Sequence, residues 1–347
     1  VKWRVDRKGP PIGVDVGRRT VKAVQLRRAG AGWRLCAAAV VPRAAEAARL
    51  QGEEAAALRD ALAGEGFVGR ELVLAAPADC VMTGIMELPP RESGAPVEQL
   101  ARRELARLHR CEADEIEVAC WDLPRPARAA NVTFVMGVAC RHDEANALLD
   151  AVEAAGLHVR ALEVHASAAA RACLPLLATA GGIVGILDVG WSAAHLLLWH
   201  QGVVVYERKL TKGGQAALTA ALAAGMGVTE QEAQRLLFAA PGAAAPRRRR
   251  GRKAKALADC LQAHVVALAE EMQVPLTYLG NQYPDAQVEK LLLIGGGAAV
   301  PSLAQQLGAA LEVAAQVVAP TDLADCDDAG VELGPAMTVA VGLAQRA

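Results

Sequence analysis

Apolar positions along the chain fall into short runs broken by glycine and charge, and one arrangement of them occurs twice. Ile12-Gly13-Val14 is an apolar strand leading into Asp15-Val16-Gly17, and after a polar turn Thr20 to Leu26 forms a second strand. Gly185-Ile186-Leu187 leads into Asp188-Val189-Gly190 in the same way, with a second strand up to Trp199. Each copy continues through a glycine turn into a third strand, Gly30 to Leu35 in the first and Gly202 to Leu210 in the second. Lys22 stands seven residues after Asp15, and His195 stands seven after Asp188. Self-similarity of this kind predicts two similar α/β halves facing each other across a cleft.

Other periodicities fill in the plan. Val97, Ala101, Leu105 and Leu108 recur at helical spacing and predict an amphipathic helix from Val97 to Arg110 with this stripe in a core. Val228-Thr229-Glu230-Gln231-Glu232 reads as a capped helix start. Val288 to Ile294 reads as a buried strand, followed by Gly295-Gly296-Gly297-Ala298 and a helix to about Leu307. A strand, a glycine turn and a helix N-terminus together favour an anion.

The chemistry suited to the duplicated unit is phosphate binding. Gly17 and Gly190 lack a Cβ, so backbone N–H groups can approach an anion. Asp15 and Asp188 are the residues expected to hold a hydrated Mg²⁺ between phosphates, and Lys22 supplies a compact positive charge. A single Asp-x-Gly would more simply be a hairpin turn. Two in matching context favour the ligand reading.

Composition narrows the classes. The chain has 347 residues, 53% hydrophobic and 22% charged, which allows a large core and excludes global disorder. Lys and Arg number 37 against 38 Asp and Glu, so a globally basic nucleic-acid binder is excluded and no nucleic-acid partner is expected. Aromatics are only 3%, which argues against stacking platforms for single strands. The N-terminal residues carry charge with no apolar run behind them, and Gly181 to Leu187 is too short to span a bilayer, so a cytoplasmic chain is expected. None of the eight cysteines forms Cys-x-x-Cys, and scattered, buried, reduced thiols are expected. From Arg247 to Lys255 seven of nine residues are basic. That run is either a solvated loop or a patch, Arg247 to Arg250 above all, for anionic membrane lipid or an acidic partner.

These residues resemble the actin/Hsp70/sugar-kinase superfamily and, within it, the PilM family of FtsA-like proteins from type IV pilus and related type II secretion machines. The resemblance runs nearly the whole length. Val14 to Lys22, with Arg18 and Thr20, looks like the first phosphate loop, and Leu72 to Pro77 like the strand and turn after it. Met86 to Pro90, the helix near Val97 and Glu117 to Asp122 resemble the inserted subdomain 1C, and Leu148 to Leu157 its exit. Lys212-Gly213-Gly214 to Thr219 is similar to a second-lobe glycine turn, Leu291 to Ala298 to the adenosine loop, and Pro335 to Ala344 to the terminal helix.

The resemblance implies an actin/Hsp70-like α/β ATPase fold of two pseudo-repeated lobes with an inserted 1C subdomain. Subdomain 1A would take residues 11–79 and 157–180, and 1C residues 80–156. Subdomain 2A would take 181–213 and 286–347, and 2B 214–285. It further implies ATP or ADP with Mg²⁺, bound by Asp15, Gly17, Arg18, Thr20, Lys22, Asp188, Gly190, Ser192, Gly213, Gly214, Gly295, Gly296 and Gly297. The implied partner is the cytoplasmic N-terminal tail of a PilN-like membrane protein, held between 1A and 1C at the inner membrane, with homo-oligomers also in keeping with the family.

The chain departs from the pattern at three places. Ala193 stands where the second phosphate loop usually has Thr, leaving Ser192 as the neighbouring hydroxyl. Ala233-Gln234-Arg235-Leu236-Leu237 replaces the family's Ala-Glu-x-x-Lys, losing both charged positions. Glu163 to Ala168 occupies the stretch where relatives carry an acidic residue, so no general base is assigned. Each lost hydrogen bond to a charged group removes about 1.5–3 kcal/mol, so weakened nucleotide binding and at most slow ATP hydrolysis are expected. The alternatives are an FtsA-like filament former, and a sugar or acid kinase, for which no convincing catalytic carboxylate is found.

Overall fold

A computed structural model of the 347-residue chain describes residues 9–44, 49–127, 131–178, 180–239, 247–326 and 333–346. Three sheets organise it. In the first lobe, β1 (Ile12–Val16), β2 (Thr20–Ala29) and β3 (Gly32–Pro42) form an antiparallel meander. β4 (Glu71–Ala75) then adds parallel to β1, on the side away from β2.

Between β4 and the last strand of that sheet, the chain leaves to build a separate unit. Its strands are β5 (Val81–Leu88), β6 (Ile116–Asp122) and β7 (Thr133–Arg141), with β7 paired antiparallel to both others. The chain returns through a helix, and β8 (His158–Glu163) completes the five-stranded order β3-β2-β1-β4-β8.

The second lobe repeats the plan. β9 (Ile183–Val189), β10 (Ala194–His200) and β11 (Val203–Leu210) form a meander, and β12 (Val288–Ile294) and β13 (Ala314–Val317) add in parallel. The resulting order is β11-β10-β9-β12-β13. Register matches as well as order: Asp15 pairs with Lys22 across the first hairpin, and Asp188 pairs with His195 across the second. The two similar α/β halves expected from the duplicated hairpins, with the insertion that the family resemblance implies, are the fold of the molecule.

The helices sort onto these sheets by their apolar faces. α1 (Gly52–Gly64) buries Ala55, Leu58 and Leu62 on the outer face of the first sheet. α2 (Val97–His109) lies on the three-stranded sheet, burying Val97, Ala101 and Leu105. Leu105 fills the space left by Gly84 and Gly137, where any Cβ would meet its methyl groups. Leu108, expected in the same stripe, reaches Gly84 of β5 but stands at the margin of the buried face and is 48% exposed. α3 (His142–Ala154) sends Leu148 and Val152 into the first lobe's core, so the compact part of the insertion ends near Arg141 rather than at 156.

α4 (His165–Leu177) and a short C-terminal helix lie between the two large sheets, where an alanine-rich core joins both lobes. α5 (Gln215–Met226), α6 (Glu230–Phe238) and α7 (Arg247–Gln282) cover the outer face of the second sheet. The Thr229 hydroxyl caps α6 by accepting from the Glu232 N–H, as the sequence predicts. The basic run Arg247 to Lys255 stands in the opening turns of α7 instead of a loop; the side chains of Arg247 to Arg250 lie outside the described ones. After Ile294 a short 3₁₀ turn (Gly296–Ala299) intervenes before α8 (Leu303–Leu311), so the glycines do not feed directly into a helix N-terminus.

The C-terminal helix, α9 (Thr338–Ala344), is buried along its whole length. It crosses α4 on one side and β1 on the other at backbone contact. A Cβ on Gly342 would lie 1.9 Å from the Ala168 carbonyl oxygen, and one on Gly13 would lie 2.2 Å from that of Ala340. Among the described residues no helix is long and apolar enough to cross a membrane. All eight cysteines are free, but only Cys140 and Cys173 are buried, and Cys36 is exposed, so the expectation of uniformly buried thiols fails.

Candidate functional site

The two Asp-x-Gly hairpins approach each other from opposite lobes and enclose a cleft of about 540 Å³. That volume lies within the usual range for small-molecule sites. Of the residues singled out from sequence, Asp15, Gly17, Arg18, Thr20, Lys22, Asp188, Gly190, Ser192, Gly295 and Gly296 line it. Gly213, Gly214 and Gly297 do not. Gly213 packs against Ala194 and Leu268, Gly214 against the Ser192 backbone, and Gly297 against Val189. Their missing side chains allow close packing behind the cleft wall.

The glycine turns are tied internally. Gly17 N–H donates to the Thr20 carbonyl at 3.0 Å, and Gly190 N–H to the Ala193 carbonyl at 3.1 Å. Neither N–H therefore points at a ligand, contrary to the expectation from the motif. The second turn is docked on α5, whose Gln215 and Ala216 N–H groups donate to the Gly190 and Trp191 carbonyls. The first is held by Arg43, a residue that no motif singles out. Arg43 Nη1 donates to the Gly17 carbonyl at 2.8 Å while its Nε and Nη2 grip Glu54 at 2.9 and 2.8 Å, in a nearly solvent-free position.

Each acidic side chain lining the cleft has a cationic partner. Lys22 Nζ lies 2.6 Å from Asp15 Oδ2. Asp79, at the foot of the insertion, is bonded by Arg18 and by Lys209 of the second lobe. His165, the first residue of α4, places Nε2 2.7 Å from Asp188 Oδ2. Asp188 is admitted there by Gly295, whose φ is +82° and whose Cβ would fall 1.9 Å from Asp188 Oδ1. A side chain at 295 would both strain the backbone and displace the carboxylate.

The histidines respond in opposite senses. Burial alone would depress His165, but its bond to Asp188 and the charges of Asp188, Asp15 and Glu207 outweigh that and raise its pKa to about 9. His195, whose ring centre lies 5.8 Å from that of His165, is lowered to about 4 by burial and by the neighbouring His165 charge. For Asp188, burial pushes upward, but the His165 bond and the positive charges of His165, His195 and Lys22 hold its pKa below the ordinary carboxylate value. His165 Nδ1 is buried without a hydrogen-bond partner.

The far wall is shaped by α6. Arg19 reaches across the cleft to donate to Gln234 Oε1 at 2.9 Å, and its guanidinium stacks on Trp191 with 4.4 Å to the ring centre. Gln234, at the altered Ala-Glu-x-x-Lys position, and Phe238 line this side. Glu163, the nearest carboxylate before α4, turns away from the cleft to bond Arg171. The sequence signal for His165 was available: a histidine one residue into the helix after β8 is aimed at whatever faces that helix's start. Arg43 and Asp79 carried no comparable signal, because both owe their place to chain-distant contacts.

The profile of the family described as "Type IV pilus assembly protein PilM" matches residues 13–347. The chain belongs to the PilM family. A solved "PilM-PilN type IV pilus biogenesis complex" contains a chain 23% identical, aligned over 98% of this chain and 99% of that one with a TM-score of 0.77. The ethanolamine utilization protein EutJ from Carboxydothermus hydrogenoformans is 14% identical over 98% of this chain and 91% of its own, with a TM-score of 0.52. At these identities the likenesses establish the fold. No curated protein sequence matches this chain.

Fit to the ligands expected of this fold divides by ligand. Lys22, Arg18 and Arg19 around the cleft, with His165 beside them, suit a phosphate-bearing nucleotide, and Gln234 and Phe238 offer a polar and an apolar wall for the rest of it. Asp15 and Asp188 do not suit a hydrated Mg²⁺ as arranged, because each carboxylate is already neutralised by a bonded cationic side chain.

Proposed function

We propose that this PilM-family chain is a cytoplasmic scaffold of a type IV pilus or related secretion platform, working at the inner face of the membrane. It captures the N-terminal tail of a PilN-like membrane protein in the groove between the first lobe and the three-stranded insertion. The observation that carries this reading is the family match over residues 13–347, supported by the fold shared end to end with a chain of a PilM–PilN complex. An insertion with its own small core, built on Val97, Ala101 and Leu105, suits the role of a rigid wall against which an extended peptide docks.

Under the same reading the cleft binds a nucleotide weakly and turns it over slowly or not at all. Asp15, Asp79 and Asp188 are all held in ion pairs, so none is poised to orient an attacking water. Contact of the basic start of α7 with anionic lipid belongs to this reading as well. It is tested by liposome sedimentation of the full chain against a variant with Arg247, Arg248, Arg249 and Arg250 changed to Ser.

The scaffold reading is tested by fluorescence anisotropy with labelled N-terminal peptides of the membrane proteins encoded beside this gene. Saturable binding of one peptide, competed by the unlabelled form, is expected. Failure of every such peptide to bind, alongside steady phosphoryl transfer from ATP to a small hydroxyl compound, would return the chain to the kinase class.

A further inference from the structure

The actin-like cleft carries two carboxylates, Asp15 and Asp188, at equivalent places in the two hairpins. In an ion-free arrangement two such groups facing a polyphosphate would repel it, and a bound cation is the usual remedy. Here the remedy is built from side chains. Lys22 is bonded to Asp15 within its own hairpin. The equivalent position in the second hairpin is His195, which does not bond Asp188. That carboxylate is instead bonded by His165, which arrives from the other lobe on the first residue of α4.

We propose that the cleft takes a nucleoside di- or triphosphate without a divalent metal ion, with Lys22 and His165 supplying the positive charge at the two carboxylates. The proposal rests on reading the cleft as a nucleotide site. Three features of the geometry support it. Both carboxylates are largely buried, with side chains 14% and 13% exposed, and both partners are equally enclosed, so a hydrated ion would have to displace a formed pair rather than fill a gap. His165 Nδ1 is buried and unpartnered while Nε2 faces Asp188, so among the described contacts the polar bonding of the imidazole is directed at that carboxylate. Gly295 keeps the space beside Asp188 Oδ1 clear of any Cβ, which fixes the carboxylate where His165 reaches it.

The free nucleotide is more negative than its magnesium complex. A site that already holds its own cations therefore prefers the uncomplexed form, whereas a site of bare carboxylates requires the complex. The two cases differ in the sign of the magnesium effect.

The experiment is calorimetric titration of the full chain with ADP, once with excess MgCl₂ and once with EDTA. Affinity in EDTA equal to or tighter than in magnesium supports the proposal. Affinity tighter with magnesium than in EDTA overturns it while leaving the cleft a nucleotide site. Absence of ADP binding in both buffers overturns the nucleotide reading and this proposal with it. His165→Gln supplies the second arm, after its circular dichroism has been matched to the parent. With Asp188 released, its ADP binding is expected to weaken in EDTA and to recover with magnesium. A variant that weakens equally in both buffers, or not at all, overturns the role given to His165.

Discussion

His165 and Asp188 belong to different lobes, yet Nε2 of one and Oδ2 of the other lie 2.7 Å apart in the centre of the cleft. Lys209 to Asp79, and Arg19 to Gln234, span the same gap nearer its mouth. The lobes are thus linked by polar contacts across the cleft that separates them.

Stability should peak near pH 6.5. The folded-state pKa of His165 is raised from 6.5 to about 9, so its contribution is complete below pH 6.5 and is lost as pH climbs through 9. That of His195 is depressed from 6.5 to about 4, so its contribution is complete above pH 6.5 and is lost as pH falls toward 4. Urea denaturation across this range is expected to show both flanks. His195→Gln should flatten the acid flank, whereas His165→Gln should flatten the alkaline flank and also shift the acid one, because its charge helps to depress both His195 and Asp188.

Arg43→Ala should cost about 3–5 kcal/mol, because it leaves the buried Glu54 carboxylate uncompensated. It also frees the Gly17 carbonyl, so the first hairpin turn should exchange its amide hydrogens faster than the rest of β1 and β2. Arg43→Lys should not restore the parent, since a single ammonium cannot hold Glu54 through two nitrogens and reach Gly17 as well. Chemical denaturation with hydrogen exchange would check both statements.

Gly342→Ala is a one-carbon change with a large expected effect. Its Cβ would fall 1.9 Å from the Ala168 carbonyl oxygen, a backbone atom with no freedom to rotate away. Overpacking of this kind costs about 1–3 kcal/mol, and here it should also push α9 off α4. A melting temperature equal to the parent's would contradict this account of the crossing.

Leu105→Ala should weaken the insertion selectively. Leu105 is fully buried against Gly84 and Gly137, and such truncations cost about 2–5 kcal/mol. Proteolysis should then cut first within residues 81–141, with the two large lobes retained. If the insertion is the peptide's docking wall, binding of the PilN-like tail should fall together with this local protection.

The sequence was most informative where chemistry and periodicity coincided. The Asp15 and Asp188 hairpins could be read because alternation, a glycine and a charged residue recur at one spacing, and local pattern alone dictates a hairpin. Leu108 misled because helical spacing places it over Gly84 but does not say how far the margin of a stripe is covered. The stretch from Leu148 resembles an exit from the insertion, but the resemblance does not say that Leu148 and Val152 enter the core of the first lobe. His165 was the largest gap. The stretch from Glu163 drew notice for the acid it lacked, while the partner that gives its histidine meaning lies on another lobe.

The crossing of α9 over α4 and β1 has a mechanical corollary. Backbone rests on backbone at Gly13 and Gly342, so the joint has no side-chain padding to compress and no room to slide. The seam between the halves is thus tightest where two unadorned glycines stand, and a single methyl group added there should be felt on both sides.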